Sequence, residues 1–176
     1  MIFTATPLPG AWILELDRHE DQRGFFARSW CAREAEARGL NPRVVQCSVS
    51  VNKRRGTLRG MHYQMAPYQE AKLIRCTRGA IHDVILDLRR GSPAFKRHVA
   101  VQLDAEGGRM LYVPEGVAHG FQTLTDDTEV FYQMSEFYAP DHARGVRWDD
   151  PAFGITWPAD DRTISERDRG YADFGA

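Results

Sequence analysis

The sequence predicts an all-β protein built as a jelly-roll barrel, with a short helix near the N-terminus and an irregular C-terminal segment. Short strand-like runs separated by turn residues fill most of the chain, a spacing typical of sandwiches and barrels. Aromatic residues make up 11% of the chain, which also holds 15 glycines and 9 prolines. Only residues 31–38, rich in Ala and Glu, predict an internal helix, with Ser29 as its N-cap and Gly39 as its stop.

The strands follow in order between explicit turns. Residues 12–17 alternate in polarity, and a turn is expected at residues 19–24. Clusters of Gly, Pro and Asp then separate eight runs. These strands are expected at residues 44–51, 57–64, 71–77, 80–88, 96–103, 109–113, 119–123 and 128–138. After Pro140 the chain is irregular: Trp148, Phe153 and Trp157 are expected to pack over the body of the fold, and residues 165–169 to form one helical turn.

Length and charge narrow the class of protein. The 176 residues predict one domain over 1–176. A net charge of −1 argues against a nucleic-acid binder that relies on bulk charge. No apolar run approaches the roughly 18 residues that span a membrane, and the N-terminus lacks the pattern of a signal peptide. The three cysteines form no CxxC motif and fit a reducing compartment, so a cytoplasmic protein is expected.

Four polar side chains are expected on otherwise apolar, inward strand faces: His62, Lys72, His82 and Tyr132. A packed apolar core does not need four polar side chains, and burial of a lysine costs free energy unless the lysine is paired or functional. The pattern favours a barrel that holds a small polar ligand, although each histidine by itself also fits a satisfied core residue. Arg59 lies three positions before His62, so either a bulge at Gly60 re-aims one of the two side chains or one of them points to a second subunit.

Six motifs then stand in order along nearly the whole chain. They are residues 21–26 (DQRGFF), 56–64 (GTLRGMHYQ), 71–75 (AKLIR), 87–93 (DLRRGSP), 113–121 (VPEGVAHGF) and 144–151 (RGVRWDDP). On these motifs the sequence resembles the dTDP-4-dehydrorhamnose 3,5-epimerase family. The resemblance implies a metal-free cupin jelly roll and a homodimer in which an N-terminal strand crosses to the partner. It also implies a nucleotide-linked 4-keto-6-deoxyhexose substrate, inverted at C3, C5 or both, as in dTDP-rhamnose and polysaccharide biosynthesis.

The resemblance also implies roles for individual residues. His62 resembles the general base, Asp168 its dyad partner, Tyr132 the general acid, and Lys72 the group that stabilises the enolate oxygen. The implied substrate contacts are Arg23, Gln46, Arg59, His119, Tyr138 and Arg167. The chemistry agrees, because a ketone acidifies the adjacent C–H bonds and a histidine, with an ordinary pKa of about 6.5, suits proton abstraction at neutral pH.

Three positions depart from the family pattern and leave the sugar open. Arg28, Ser48 and Ala143 stand where the family often has Glu, Asn and Glu. Another sugar or nucleotide, or inversion at C3 only or C5 only, is therefore an alternative. So are a ketoisomerase that uses the same base and a non-catalytic module that binds a sugar nucleotide.

A metal-dependent cupin is the remaining alternative. His62, His82, His119 and Glu70 are the residue types that hold a metal. The commonest metal cupins have a His-x-His pair, however, and residues 62–64 read His-Tyr-Gln. No GxGxxG motif follows a predicted strand. We therefore expect neither a metal nor any other cofactor.

Overall fold

A computed structural model describes residues 1–175, so Ala176, the last residue of the expected domain, lies outside the described residues. The regular elements alternate short strands with tight connections, as the sequence predicts. They are β1 (Ile2–Ala5), β2 (Trp12–Glu15), β3 (His19–Asp21), β4 (Gly24–Phe26), α1 (Ala32–Glu36), β5 (Gln46–Asn52), β6 (Leu58–Gln64), β7 (Lys72–Arg78), β8 (Ala80–Asp87), β9 (His98–Asp104), β10 (Met110–Val113), β11 (Val117–Thr123), β12 (Thr128–Met134), a 3-10 turn (Pro140–His142), β13 (Ala143–Gly145) and α2 (Glu166–Arg169).

Two antiparallel sheets form the body of the fold. The six-stranded sheet has the order β1-β2-β10-β7-β12-β5, and the five-stranded sheet has the order β13-β6-β11-β8-β9. Strands β3 and β4 pair only with each other and make a separate hairpin. The predicted all-β jelly roll is confirmed, and the eight runs expected between residues 44 and 138 all contain strands.

The apolar core fills one end of the space between the sheets. Ile74 and Val130 come from the six-stranded sheet, Ile85 and Phe121 from the five-stranded sheet, and all four are fully or almost fully buried. Further along β7 and β12 the inward positions become polar, because Lys72 and Tyr132 follow the same alternation. The barrel is therefore packed at one end and polar at the other.

The C-terminal segment covers the outer face of the five-stranded sheet, as expected for its aromatic residues. Phe153 and Trp157 pack there on Val84 and Leu86. His82 shares this outer face, with its ring 6.0 Å from that of Trp157. The prediction of an inward His82 is therefore wrong. Strand alternation correctly groups His82 with Val84 and Leu86, but only the packing decides which face of β8 points into the barrel.

The local predictions hold with three corrections. Helix α1 is shorter than expected, and its N-cap is Cys31 rather than Ser29. The predicted turn at residues 19–24 is the β3–β4 hairpin. The irregular segment contains β13, which pairs with β6. Helix α2 has Ser165 as its N-cap.

None of the helices formed by residues 1–175 has the length and apolar character that a membrane crossing requires.

Candidate active site

A cavity of about 410 Å³ occupies the polar end of the barrel. Both sheets contribute walls to it, and α2 contributes one side chain. Its lining consists of Gln46, Ser48, His62, Tyr63, Gln64, Glu70, Lys72, Tyr132, Met134, Tyr138, Ala143, Arg144 and Arg167. A concave, mixed polar and apolar site of this volume suits a small ligand with several polar groups.

His62 enters the cavity from the five-stranded sheet and is held by Asp168. The His62 Nε2 atom lies 2.7 Å from the Asp168 Oδ1 atom. An ionised carboxylate only accepts hydrogen bonds, so Nε2 carries the proton and donates. The lone pair of the neutral ring then lies on Nδ1, which is free to accept a proton from a ligand.

The buried Asp168 carboxylate is stabilised in its ionised form. Only 3% of the residue is exposed, and burial by itself raises a carboxyl pKa. The hydrogen bonds from His62, the Gly60 N–H group and the Ser165 cap outweigh burial, so the pKa of Asp168 is lowered. Asp168 therefore stays charged beside the His62 ring.

A shift in strand register explains how Arg59 and His62 come to share one side of β6. On β11, His119 pairs with His62 and Phe121 pairs with Arg59, so the register shifts between these two pairs. Gly60 lies at the shift with a φ of +136°, and a Cβ atom there would be 2.5 Å from the Gly120 Cα atom. Only glycine fits so close to the neighbouring strand. The predicted irregularity at Gly60 is confirmed.

Tyr132 enters the cavity from the six-stranded sheet, whereas His62 enters it from the five-stranded sheet. Burial raises the pKa of its phenol far above the ordinary value, and the nearby Asp83 charge adds to that rise. The Arg59 guanidinium acts in the opposite direction. The phenol therefore remains protonated throughout the neutral range and can donate a proton.

Lys72 lies at the start of β7, where it meets the cavity. Its Nζ atom is 3.1 Å from the Glu70 Oε1 atom, and both side chains are largely buried. The ion pair offsets the cost of placing a lysine inside the barrel. Glu70 thereby holds the ammonium group in the cavity, where it can stabilise negative charge on a ligand.

A second pair of histidine and carboxylate lies beside Tyr132. The His119 Nε2 atom is 2.5 Å from the Asp83 Oδ1 atom, and the His119 ring lies edge-on to the Tyr132 ring at 5.9 Å. Asp83 is fully buried, and its other oxygen, Oδ2, has no hydrogen-bond partner among residues 1–175. The pair fixes the orientation of the imidazole next to the phenol.

The other residues predicted to contact the substrate lie in three different places relative to the cavity. Gln46, Tyr138 and Arg167 line the cavity. The Gln46 side chain accepts a hydrogen bond of 2.9 Å from the Tyr138 backbone. Arg59 lies next to the cavity, within electrostatic reach of Tyr132, and its Nε atom donates to Asn52 at 2.8 Å. Arg23 is placed elsewhere.

Arg23 belongs to the separate β3–β4 hairpin and is not a lining residue of the cavity. Its guanidinium pairs with Asp21 at 2.5 Å, and both side chains are well exposed. The neighbouring Phe26 is 76% exposed. The structure of one chain therefore does not bring Arg23 to His62.

The three departures from the family pattern also have distinct places. Ser48 and Ala143 both line the cavity. Arg28 pairs with Glu34 at 3.2 Å, outside the cavity lining. Two of the three positions can therefore affect the choice of ligand within this chain.

Sequence reasoning missed four side chains of the site. Asp83, Arg144 and Tyr171 were not singled out, and Glu70 entered only as a metal ligand. Strand alternation on β8 places Asp83 on the face opposite His82, so a correct choice of the inward face would have found it. The sequence carries no comparable signal for Tyr171, whose ring lies edge-on to the His62 ring with the ring centres 6.4 Å apart.

The side chains of the metal alternative do not meet at one site. His62 and His119 face the cavity side, whereas His82 packs on Trp157 at the outer face. Within residues 1–175, no three His, Cys, Asp or Glu side chains are grouped as a metal ion would require.

Comparisons with known proteins find similar sequences over almost the whole chain. Residues 5–175 match the family model described as dTDP-4-dehydrorhamnose 3,5-epimerase. A dTDP-4-dehydrorhamnose 3,5-epimerase of Pseudomonas aeruginosa is 42% identical over 168 residues, which cover 94% of this chain and 92% of the relative.

Solved structures also resemble nearly the whole chain, as two examples show. The dTDP-4-dehydrorhamnose 3,5-epimerase of Bacillus anthracis, with TDP and PPi bound, superposes with a TM-score of 0.94 at 40% identity, covering 98% of this chain and 99% of that one. A 3'-monoepimerase of Streptomyces bikiniensis, in complex with dTDP-quinovose, superposes with a TM-score of 0.87 at 37% identity, covering 96% and 85%.

Proposed function

Because the chain belongs to the dTDP-4-dehydrorhamnose 3,5-epimerase family, we propose that it inverts C3, C5 or both of a nucleotide-linked 4-keto-6-deoxy sugar without a cofactor. The default substrate is dTDP-4-dehydro-6-deoxyglucose. The protein is a carbohydrate epimerase of the cupin jelly-roll fold. The observation that carries the proposal is the His62–Asp168 pair, which opens on the cavity that Tyr132 and Lys72 also line.

The first half of the reaction is a proton abstraction. His62 Nδ1 takes the proton from the carbon next to the C4 ketone, and the electrons of that C–H bond move to the ketone oxygen as an enolate. Asp168 stabilises the imidazolium that forms. The Lys72 ammonium stabilises the negative charge on the oxygen as it develops.

The second half returns a proton to the opposite face. Tyr132 stands on the other wall and donates its phenolic proton to the same carbon, while the ketone re-forms. The phenolate then regains a proton from solvent, and His62 releases its proton to solvent. No net redox change occurs, so the balanced reaction needs no electron carrier.

The cations at the cavity suit the diphosphate of the substrate. Arg144 and Arg167 line the cavity, and Arg59 lies beside it. Gln46, Tyr138 and His119 offer further polar groups to the sugar and the diphosphate. Charge-assisted hydrogen bonds from guanidinium groups to phosphate oxygens are among the stronger polar contacts in proteins.

Inversion at C3 only is the second candidate function. The 3'-monoepimerase that resembles this chain supports it, since the same fold and a similar sequence serve that narrower reaction. Ser48 and Ala143 on the cavity wall are the residues of this chain that can alter how the sugar sits.

We further propose that the protein works as a cytoplasmic homodimer in which Arg23 serves the partner's cavity. The β3–β4 hairpin, which carries Arg23, Phe25 and the exposed Phe26, pairs with neither of the two large sheets. A self-complementary contact with a second copy would bury these aromatic rings. The cysteines at positions 31, 47 and 76 are free thiols, which fits a reducing compartment.

Deuterium exchange tests the catalytic proposal. In heavy water, the wild-type protein should introduce deuterium at C3, C5 or both of dTDP-4-dehydro-6-deoxyglucose, and NMR of the product identifies the inverted centre. His62→Ala should abolish exchange, whereas the matched control His142→Asn, outside the cavity, should not. Binding without exchange would favour a non-catalytic module, and a ketone moved to another carbon would favour a ketoisomerase. Elemental analysis of the purified protein tests the metal alternative.

A further inference from the structure

Tyr171, two residues beyond α2, lies directly against the backbone of β13. A Cβ atom added at Gly145 would be 2.2 Å from the Tyr171 Cζ atom. The phenol ring therefore occupies the space that any side chain at position 145 would need. Gly145 of β13 pairs with His62 of β6. The Tyr171 ring therefore lies next to the strand that carries His62.

From this position the Tyr171 side chain contacts two members of the site. Its hydroxyl accepts a hydrogen bond of 3.0 Å from the Arg167 Nε atom. Its ring stands edge-on to the His62 imidazole, with the ring centres 6.4 Å apart. The phenols of Tyr138 and Tyr171 raise the pKa of Arg167, and the hydrogen bond to Tyr171 holds this guanidinium at the cavity.

The chain beyond Tyr171 is tied to the body of the fold. Asp173 pairs with Arg147 at 2.6 Å. The Phe174 backbone donates to Asp150 at 2.6 Å, and the Phe174 ring packs on Phe153 at 5.1 Å. Helix α2 precedes Tyr171 in the chain and these contacts follow it, so the backbone is held in place on both sides of Tyr171.

We propose that Tyr171 is a positioning residue that holds Arg167 toward the diphosphate of the substrate and supports the outer edge of the His62 ring. This inference rests on the proposed function, which supplies the diphosphate. Arg167 is the residue that meets the ligand, and Tyr171 acts through it. Gly145 is part of this arrangement, because the Tyr171 side chain can contact Arg167 and His62 only if position 145 has no side chain.

Tyr171→Phe tests the hydrogen bond while it keeps the ring in place. Loss of one bond to a guanidinium should raise KM for the nucleotide sugar by about five-fold and leave kcat within about two-fold of wild type, because the contact aids substrate binding rather than the chemical step. The dissociation constant of dTDP, measured by calorimetry, should rise by the same factor as KM. Tyr68→Phe is the matched control, since Tyr68 packs on His142 outside the cavity and should change neither constant.

A double-mutant cycle separates positioning from a merely structural role. If Tyr171 acts through Arg167, the Arg167→Gln/Tyr171→Phe variant should bind dTDP no more weakly than Arg167→Gln alone. Additive losses, or a lower melting temperature with an unchanged dTDP affinity, would overturn the proposal. Should Tyr171→Phe fail to fold, the dTDP affinity of Gly145→Ala is measured in its place. This variant displaces the Tyr171 ring but keeps its hydroxyl, so dTDP binding should weaken. Since dTDP binding needs no turnover, this test stays separate from a failure of the wild-type protein to catalyse exchange.

Discussion

His62 and Asp168 are 106 positions apart in the chain, yet the His62 Nε2 atom lies 2.7 Å from the Asp168 Oδ1 atom. One residue comes from the middle of β6 and the other from α2 near the C-terminus. The Gly60 N–H group donates to the same carboxylate, and the Ser165 hydroxyl accepts a hydrogen bond from the Asp168 backbone N–H group. The orientation of the His62 ring therefore depends on the packing of the C-terminal segment against the sheets.

Removal of the Asp168 charge should impair catalysis. Asp168→Asn leaves a group of the same shape but no longer stabilises the imidazolium, so kcat should fall by about a hundred-fold. The rate of deuterium exchange at C3 and C5 measures this effect. Asp141→Asn, an exposed change in the 3-10 turn, should keep the wild-type rate; an active Asp168→Asn enzyme would contradict the role of the dyad.

The lowered pKa of Asp168 predicts that the folded protein loses stability in acid. The folded pKa of Asp168 lies below its ordinary value of 3.8, so the ionised form favours the folded state. This contribution is fully present above about pH 4 and is lost as the pH falls through the lowered folded value. Denaturant titrations should therefore find wild type more stable than Asp168→Asn at pH 7, with the difference shrinking near pH 3. A difference that does not depend on pH would refute the linkage.

Tyr132→Phe should separate the two proton transfers. Abstraction by His62 remains, so C–H exchange should continue, while epimerised product should fall by about a hundred-fold because the opposite face lacks its donor. Product NMR in heavy water gives both rates from one sample, and Tyr68→Phe is again the control. Equal loss of exchange and epimerisation would count against Tyr132 as the acid.

Lys72→Met should lower kcat more than it raises KM. The ammonium stabilises charge that exists only once the enolate forms, and removal of such a group costs about a hundred-fold or more in rate. Steady-state kinetics give the two constants. Lys53→Met, an exposed change after β5, serves as the control. A rise in KM alone would assign Lys72 to ground-state binding instead.

Mixed dimers test whether Arg23 acts across the dimer. In a heterodimer of R23A and H62A chains, a swapped hairpin leaves one cavity with both residues intact, so about half of the wild-type activity per dimer should return. A D168N and H62A heterodimer, in which each cavity carries a lesion, should stay inactive. If the R23A and H62A mixture also stays inactive, Arg23 serves the cavity of its own chain. An R23A homodimer with wild-type activity would instead place Arg23 outside the site.

The strands could be placed from the sequence because their signals are local. Apolar alternation and turn residues mark each run within a few positions, and β5 to β12 appear where those signals lie. The cap of α1 shows the limit of such signals: Ser29 has the right chemistry, but the chain enters the helix two residues later, at Cys31.

The sequence by itself determined the family and the all-β class, and it singled out His62, Lys72, Tyr132 and Asp168 as candidate site residues, because motifs and strand alternation depend on neighbouring positions. Only the tertiary structure decided which face of β8 points inward, which brought Asp83 to His119 and left His82 on Trp157. It likewise placed Tyr171 against Gly145 and His62. These contacts join segments far apart in the chain, and their geometry depends on how the two sheets and the C-terminal segment pack.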